Sequence, residues 1–156
     1  MTDKHITESE AGTLEVATVF AATLNPGSVV ALIGELGTGK TVFARGILYA
    51  FGIKENITSP TFTLIHEYHG KVSESNIKKT EFGKNIHLYH MDLYRMNNVK
   101  EIVDIGVEDY FYSVGICLVE WAEKLEELLP KDSIHVTIKH LGENQREIEI
   151  ERPEKL

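Results

Sequence analysis

Hydrophobic and polar positions along the first half of the chain predict helices and strands in turn. The apolar run Val29–Ile33 indicates a buried strand, and residues 41–51 indicate a helix that ends before Gly52. Upstream, apolar residues within 14–24 recur at close to helical spacing, and the capping-box sequence Thr7-Glu8-Ser9-Glu10 precedes them. The pattern therefore predicts a helix, a strand and a second helix before Gly52.

The second half of the chain contains more strand-like segments than helical ones. Its predicted elements are, in order, a strand at 61–68, a polar surface loop or long hairpin at 70–85, a strand at 86–94, a helix at 99–112 interrupted at Gly106, a strand at 115–120, a helix at 121–129, and a hairpin of 133–139 with 146–151. This order predicts one three-layer α/β domain over residues 1–156, with a mixed central sheet, a C-terminal β-hairpin and a surface extension at 71–85. Ligands of such sheets bind at the carboxyl ends of the strands.

The strand Val29–Ile33 runs directly into the sequence Gly34-Glu35-Leu36-Gly37-Thr38-Gly39-Lys40-Thr41, which has the form G-x-x-x-x-G-K-T of a phosphate-binding loop. Its glycines allow backbone torsions that other residues resist, so successive N–H groups can point inward around an anion. The positive end of the following helix meets the same point. Lys40 adds a mobile charge for the outer phosphates, and Thr41 offers a hydroxyl to a magnesium ion. The sequence therefore predicts a nucleotide phosphate site.

A nucleotide hydrolase also needs a carboxylate at the end of a neighbouring strand, where it holds magnesium or its waters. Two predicted strands end in a carboxylate, one at Asp92 and one at Glu120. Glu120 is the stronger candidate because it follows an apolar run, as expected of a buried central strand. The alternatives are that Asp92 caps a helix or pairs with Arg95, and that Glu120 is a charge at a helix N-terminus.

Hydroxyl and imidazole groups supply further candidates. A hydroxyl in Ser59-Pro60-Thr61 can reach a γ-phosphate or magnesium as a switch loop does, although an ordinary turn before a strand explains this sequence equally well. The histidine pairs 66/69 and 87/90 are each three residues apart, which on a strand directs the two side chains to opposite faces. Neither pair is therefore expected to bind one metal ion. His90, Asp92 and Tyr94 share a strand face, and one of them can touch the site, but at His90 a core or solvated histidine is favoured over a ligand.

The composition is that of an acidic globular protein. Of the 156 residues, 42% are hydrophobic and 26% are charged, and the formal net charge is −8. Basic residues are scattered rather than clustered, so direct nucleic-acid binding is disfavoured. No apolar run reaches the length of a membrane span, and the polar segment 1–12 is unlike a secretory signal. The single cysteine, Cys117, lies in an apolar run and is expected to be buried, in keeping with a cytoplasmic protein.

Four motifs, in order along the chain, resemble those of the TsaE family (also called YjeE), which are bacterial ATPases needed for threonylcarbamoyladenosine formation on tRNA. The family pattern is G-[DE]-L-G-[AT]-G-K-T, then S-P-T-[FY]-T, then H-x-D-x-Y-R, then a strand that ends in E-W. The corresponding residues here are 34–41, 59–63, 90–95 and 120–121. The loop is shared by a very large superfamily, whereas the other three motifs together are specific. The polar stretch 71–85 departs from the family, which usually has a short connection there.

The resemblance implies a P-loop NTPase-like domain with a mixed sheet, and an ATPase activity that uses ATP and Mg²⁺. It implies catalytic roles for Lys40, Thr61, Asp92 and Glu120, and magnesium binding by Thr41, Glu120 and Asp92. Contacts to the nucleotide are implied for a larger set, namely Glu10, Thr13, Leu36, Gly37, Thr38, Gly39, Lys40, Thr41, Trp121 and Arg146. Within that set, Trp121 is expected beside the site, and Glu10, Thr13 and Arg146 near the nucleotide base.

The resemblance also implies protein partners. The family is similar to an accessory motor that binds the TsaB–TsaD pair, in which TsaD transfers the threonylcarbamoyl group to adenosine in tRNA. ATP hydrolysis would reset that complex between turnovers. Contact with tRNA would then be indirect, in agreement with the net charge of −8.

Two other functions use the same loop and remain as alternatives. A small-molecule kinase needs a second substrate pocket and usually an arginine-bearing lid, and the arginines at 45, 95, 146 and 152 do not cluster in one loop. A nucleotide-gated interaction module would bind ATP with negligible turnover. A GTPase is disfavoured because the guanine-reading sequence [NT]-K-x-D is absent from the chain.

Overall fold

The computed structural model describes residues 1–54, 57, 65–72, 85–125 and 127–154. Within these ranges the elements are β1 Thr2–Thr7, α1 Glu10–Ala21, β2 Val29–Ile33, α2 Lys40–Ala50, β3 Ile65–Lys71, β4 Asn85–Asp92, α3 Val99–Asp104, α4 Val107–Phe111, β5 Ile116–Glu120, β6 Ile134–His140 and β7 Arg146–Glu151. A 3-10 turn covers Ala122–Lys124. None of the described helices is long and apolar enough to cross a membrane.

The strands form one seven-stranded sheet in the order β1-β7-β6-β2-β5-β4-β3. The four central strands β6, β2, β5 and β4 run parallel to one another, and the pairs outside them, β6–β7, β7–β1 and β4–β3, are antiparallel. Every residue of β5 is buried, as expected of a central strand with helices on both faces. The mixed sheet confirms the predicted α/β fold. Since parallel strands end at the same edge, the segments that follow β2, β5 and β4 meet there.

Apolar side chains cover both faces of the sheet. On one face, Leu32 belongs to a buried cluster with Phe20 of α1 and Phe43 of α2. On the other face, the neighbouring residue Ala31 belongs to a cluster that contains Phe111 of α4. Successive residues of a strand point to opposite faces, so the unbroken apolar sequence of β2 supplies both clusters. The result is the predicted arrangement of three layers.

The buried thiol of Cys117 agrees with its predicted core position. Cys117 is fully buried in β5, and its Sγ donates to the carbonyl oxygen of Tyr110 at 3.2 Å. Burial raises the pKa of this thiol to about 12. The group is therefore a protonated, unreactive part of the core.

Several predicted boundaries agree closely with the structure. β2 spans the predicted residues, and Gly52, at φ +79°, follows the end of α2. The helical region 99–112 is interrupted at Gly106, also at φ +79°, and divides into α3 and α4. The C-terminal hairpin forms between β6 and β7, with His140 opposite Arg146. Of the strand predicted at 61–68, residues 61–64 lie outside the described residues, as do residues 73–84 of the expected surface extension.

The N-terminal strand β1 is an element that the sequence pattern did not predict. It pairs with β7 along its whole length, from Thr2 opposite Glu151 to Thr7 opposite Arg146. Most of its side chains are exposed, so its sequence lacks an apolar alternation and its stability comes from backbone pairing with the far end of the chain. The predicted capping box is displaced as a consequence. Thr7 ends β1, and Ser9 is the N-cap of α1, its hydroxyl accepting from the Gly12 N–H at 3.0 Å.

The helix predicted at 121–129 is wrong. Trp121 adopts the left-handed conformation, with φ +60°, and only Ala122–Lys124 form a single 3-10 turn after it. The described residues that follow are in turns or irregular structure. Ala122 and Leu125 still pack into the cluster beneath α3 and α4. A tight turn therefore buries Ala122 and Leu125, which a helix was expected to bury.

Gly46 allows the two helices on one face of the sheet to approach closely. A Cβ atom at this position would lie 2.6 Å from Cβ of Ala17 and 3.0 Å from the carbonyl oxygen of Leu14. Real Cβ atoms do not approach a neighbouring carbon so closely, so α1 and α2 would have to separate. The absence of a side chain at Gly46 therefore sets the distance between the helices.

We expect Gly46→Ala to lower the free energy of unfolding by about 1–2 kcal/mol, because overpacking outweighs the gain in helix propensity. The matched control is Gly12→Ala in α1, where the nearest atoms to an added Cβ lie at 3.4 Å. That variant should be unchanged or more stable by up to about 1 kcal/mol. Urea denaturation of both variants measures the difference, and equal stabilities would contradict the packing argument.

Candidate functional site

The carboxyl ends of β2, β5 and β4 bring the predicted phosphate loop and both predicted carboxylates together. In the parallel register, Leu32 of β2 lies opposite Glu120 of β5, and Glu120 lies opposite Asp92 of β4. Both carboxylates are buried, with Glu120 2% and Asp92 8% exposed. The two strand ends therefore lie with the loop at one edge of the sheet.

The loop between β2 and α2 depends on its glycines in two different ways. Gly37 and Gly39 have φ of +80° and +107°, a region that side chains disfavour. Gly34 is needed for close approach, since a Cβ there would lie 2.6 Å from the carbonyl oxygen of Ile138. α2 begins at Lys40, directly after Gly39. Its N-terminal N–H groups and positive helix dipole therefore lie at the loop, as an anion site requires.

The Lys40 side chain is buried inside the loop that it follows. Its ammonium donates to the carbonyl oxygen of Glu35 at 2.9 Å and to that of Gly34, and it lies 4.1 Å from the centre of the Trp121 ring. Burial lowers the pKa of Lys40, while the charges of Glu120, Glu123 and Asp92 act in the opposite direction. The ammonium is thus a positive group close to the carboxylates at the ends of β5 and β4.

Glu120 is held by hydrogen bonds on both of its carboxylate oxygens. Thr41 Oγ1 donates to Oε1 at 2.8 Å, and His90 Nε2 lies 2.6 Å from Oε2. A carboxylate accepts only, so Nε2 of His90 carries the proton in this pair. His90 is itself fully buried, and its Nδ1 has no hydrogen-bond partner among the described residues. These contacts fix the orientation of Glu120 relative to the first residues of α2.

The Asp92 side chain makes a local hydrogen bond and also lines the cleft, and the bond is to a turn rather than to the helix N-terminus considered from the sequence. Its Oδ1 accepts a hydrogen bond from the backbone N–H of Tyr94 at 2.9 Å, which closes the turn after β4. Its side chain also lines the same cleft as Glu120. One carboxylate oxygen of Asp92 therefore caps the turn, while the side chain remains part of the cleft wall.

Two of the clefts that border the loop share Gly37 and Gly39. The larger, of about 460 Å³, is lined by loop and helix residues on one side and by the strand ends on the other, including Leu36, Gly37, Gly39, Lys40, Thr41, Asp92, Glu120 and Trp121. The smaller, of about 300 Å³, is lined by Ser9, Glu10, Thr13, Gly37, Thr38, Gly39, Val42, Asn144 and Arg146. Gly37 and Gly39 border both clefts, so the loop backbone separates them.

Residues that are far apart in the sequence form the smaller cleft. Nε of Arg146, at the start of β7, donates to the carbonyl oxygen of Thr38 at 3.0 Å. Glu10, at the start of α1, pairs with Arg45 of α2 at 3.1 Å. The N-terminal helix, the loop and the C-terminal hairpin thus meet at this cleft. The arrangement brings Glu10, Thr13 and Arg146 together, as was expected of residues near a nucleotide base.

The structure adds one residue to the expected site and leaves another outside its description. His90 was expected to be a core or solvated histidine rather than a ligand, and the structure places it in the core with a hydrogen bond to Glu120. Its position two residues before Asp92 on the same strand face was the available signal, but the neighbouring strand had to be known. Thr61, with the rest of 58–64, lies outside the described residues.

The donor set of the larger cleft suits a magnesium ion. Hydroxyl and carboxylate oxygens are the ligands that Mg²⁺ prefers, and Thr41 and Glu120 supply one of each, 2.8 Å apart. Adjacent oxygens in an octahedral shell with bonds of about 2.0–2.1 Å lie about 2.9 Å from one another. The observed pair therefore matches either two neighbouring ligands or one ligand and its hydrogen-bond partner.

Comparisons with known proteins agree with this geometry. A family model described as "Threonylcarbamoyl adenosine biosynthesis protein TsaE" matches residues 7–148. A curated "tRNA threonylcarbamoyladenosine biosynthesis protein TsaE" of Bacillus subtilis is 42% identical over 136 residues, which are 87% of this chain and 77% of that protein. The protein of the same name from Treponema pallidum is 37% identical over 145 residues, covering 93% of this chain and 97% of the relative. A crystal structure of Bacillus subtilis YdiB superposes with a TM-score of 0.76 at 35% identity, covering 99% and 87% of the two chains.

We expect Lys40→Ala to weaken ATP binding by about tenfold to a hundredfold, because a charged hydrogen-bond donor to the phosphates is lost. Isothermal titration with a non-hydrolysable ATP analogue measures the affinity. Lys100→Ala, at an exposed lysine of α3, is the matched control and should bind as the unaltered protein does. Unchanged affinity in Lys40→Ala would show that the loop does not bind phosphates.

Proposed function

The chain belongs to the family of threonylcarbamoyl adenosine biosynthesis protein TsaE, and on this premise we propose that it is a Mg²⁺-dependent ATPase that acts in the cytoplasm on the TsaB–TsaD complex. The family assigns the chain a role in tRNA threonylcarbamoyladenosine biosynthesis. The proposal adds the reaction, which is hydrolysis of ATP to ADP and phosphate, and the partners on which it acts.

One observation carries the ATPase proposal. The Thr41 hydroxyl, at the start of the helix that follows the phosphate loop, donates to a Glu120 carboxylate buried at the end of the adjacent parallel strand, and Lys40 lies beside both. A phosphoryl-transfer site requires these three groups: a positive charge for the outer phosphates, a hydroxyl for magnesium and an acidic strand end. Few other functions need all three in one buried place.

Each residue of the larger cleft has a defined part in this proposal. The backbone N–H groups of Gly37 to Thr41 bind the phosphate chain, with Lys40 placing its charge on the outer phosphates. Thr41 and Glu120 hold Mg²⁺ directly or through its waters, and Asp92 adds a further carboxylate oxygen. A Mg²⁺ ion held there would supply neutralisation of the charge on the phosphate oxygens. His90 maintains the orientation of Glu120 through its hydrogen bond.

The smaller cleft is proposed to receive the adenine base and ribose. Glu10, Thr13 and Arg146 line it, and Gly37 and Gly39 connect it to the phosphate loop. Trp121 lines the larger cleft with its ring against the Lys40 ammonium. Thr61, outside the described residues, is proposed as the hydroxyl that responds to the γ-phosphate, on the basis of its motif alone.

The partner assignment comes from the family resemblance, and the charge of the chain is consistent with it. A net charge of −8 opposes direct binding to tRNA. A protein of this charge contributes most simply through other proteins, and in this proposal TsaB and TsaD carry the tRNA contacts. ATP binding and hydrolysis would then reset the TsaB–TsaD complex between rounds of tRNA modification.

The decisive experiment is a measurement of ADP and phosphate release by the purified protein, alone and with TsaB and TsaD from the same organism. Low activity alone that rises with the pair, in the absence of any small-molecule acceptor, is the expected result. Activity that does not respond to the pair would contradict the partner assignment. ADP formation only on addition of an acceptor would instead identify a kinase, and tight binding with no turnover in any mixture would identify a nucleotide-gated module.

Glu120→Gln and Asp92→Asn separate the two carboxylates by their magnesium dependence. We expect Glu120→Gln to retain nucleotide binding at low Mg²⁺ but to lose about a hundredfold or more of the hydrolysis rate, because a charged group at the reacting phosphates is removed. Hydrolysis across a Mg²⁺ titration provides the measurement, with Glu108→Gln, at an exposed glutamate of α4, as the control. If turnover survives in Glu120→Gln and fails in Asp92→Asn, Asp92 is the main magnesium ligand.

A further inference from the structure

A cluster of two histidines and a glutamate lies across strands β3 and β4, away from the nucleotide site. These strands are antiparallel, and their register places His69 directly opposite His87. Glu67 is two residues before His69 and therefore shares its face of the sheet. All three side chains are exposed. Each can offer one ligand atom, and the three atoms lie within 4.8 Å of one another.

The side chains of the cluster already contact one another. Nδ1 of His87 lies 3.3 Å from Oε1 of Glu67, and the rings of His69 and His87 have centroids 4.7 Å apart. The His87 ring is also stacked on Tyr89, at an angle of 11° between the planes. Small changes in side-chain torsions would bring the three ligand atoms to the separations that a single ion requires.

The chemistry of the donors selects a class of ion. Two imidazole nitrogens and one carboxylate oxygen form a donor set typical of zinc sites that keep a fourth position for water. Imidazole favours zinc and other late transition metals, whereas Mg²⁺ favours oxygen ligands. The exposure of the cluster leaves room for a water molecule at the fourth position.

This cluster is separate from the nucleotide site by both face and distance. Ile86 and Leu88, the neighbours of His87 in β4, pack on the face of α1 and α2, so His87 points to the opposite face. Asp92 is five residues further along the same strand, a distance of about 16 Å at the usual rise of a strand. None of the three cluster residues lines either cleft of the nucleotide site.

We propose that Glu67, His69 and His87 bind one divalent transition-metal ion, with Zn²⁺ as the best-suited ion, and that the ion clamps the hairpin at the edge of the sheet. β3 is the outermost strand and is paired on one side to β4 within the described residues. A metal bridge between residues 69 and 87 restrains the two strands to their register. Since the site forms only when the strands pair, metal binding stabilises the folded hairpin.

The test is Zn²⁺ titration of the full chain by calorimetry and thermal unfolding, in a large excess of Mg²⁺ so that oxygen-only sites are filled. We expect one Zn²⁺ per chain and, near a hundredfold excess over Kd, a rise in Tm of about 5–10 °C. His69→Ala, His87→Ala and Glu67→Gln should each weaken Zn²⁺ binding by at least about tenfold, as the loss of a ligand requires. His5→Ala, at an exposed histidine of β1, should bind Zn²⁺ as the unaltered chain does.

The imidazole NMR signals provide a second readout that identifies the site. The two signals that disappear in His69→Ala and His87→Ala should be those that shift when Zn²⁺ is added to the unaltered chain. The proposal is overturned if the variant that carries both His69→Ala and His87→Ala binds Zn²⁺ with unchanged affinity. It is also overturned if the shifted signals belong to other histidines. Failure of Zn²⁺ to bind at all would also overturn it, and would leave the proposed ATPase function untouched because the two sites share no residue.

Discussion

Hydrogen bonding between parallel strands aligns β4 with β5 and β5 with β2, and this alignment places Asp92 opposite Glu120 and Glu120 opposite Leu32. Side chains at the ends of the three strands therefore lie beside the loop that leaves β2. A shift of one residue in either pairing would turn Glu120 or Asp92 to the other face of the sheet. The buried apolar faces of β2 and β5 oppose such a shift, so the packing of the core maintains the geometry of the site.

The burial of Glu120 has a cost that its partners offset. A carboxylate removed from water needs hydrogen bonds, and Thr41 and His90 provide one on each oxygen. Lys40 supplies the nearby positive charge and is held by loop carbonyls and by the face of Trp121. Trp121 adopts the left-handed conformation, and its ring lies against the Lys40 ammonium. The site is thus a set of mutually oriented side chains that are buried or half-buried.

The paired strands β3 and β4 carry polar side chains of different kinds on the two faces of the sheet. On one face, His90 and Asp92 reach the nucleotide site at the carboxyl end of β4. On the other face, Glu67 and His69 of β3 and His87 of β4 lie close together, nearer the start of β4. A zinc ion at this second place would restrain an edge strand, which is the part of a sheet least protected by its neighbours. The two places are connected through β4 and share no side chain.

The sequence by itself determined the central elements and the chemistry of the loop. The apolar runs of β2 and β5, the break at Gly106 and the glycine-rich loop each depend on residues close together in the chain, so local patterns predicted them.

Only the tertiary structure decided which distant residues meet. β1 exists because β7 pairs with it, Trp121 begins a tight turn because the core accepts Ala122 and Leu125 in that form, and His90 joins the site because β5 places Glu120 next to it. His69 and His87 likewise became neighbours through the register of two strands, although the sequence spacing within each strand separates its own histidine pair. The physical reason is that periodicity reports the burial of one element, whereas pairing and register are set by contacts between elements that are remote in sequence.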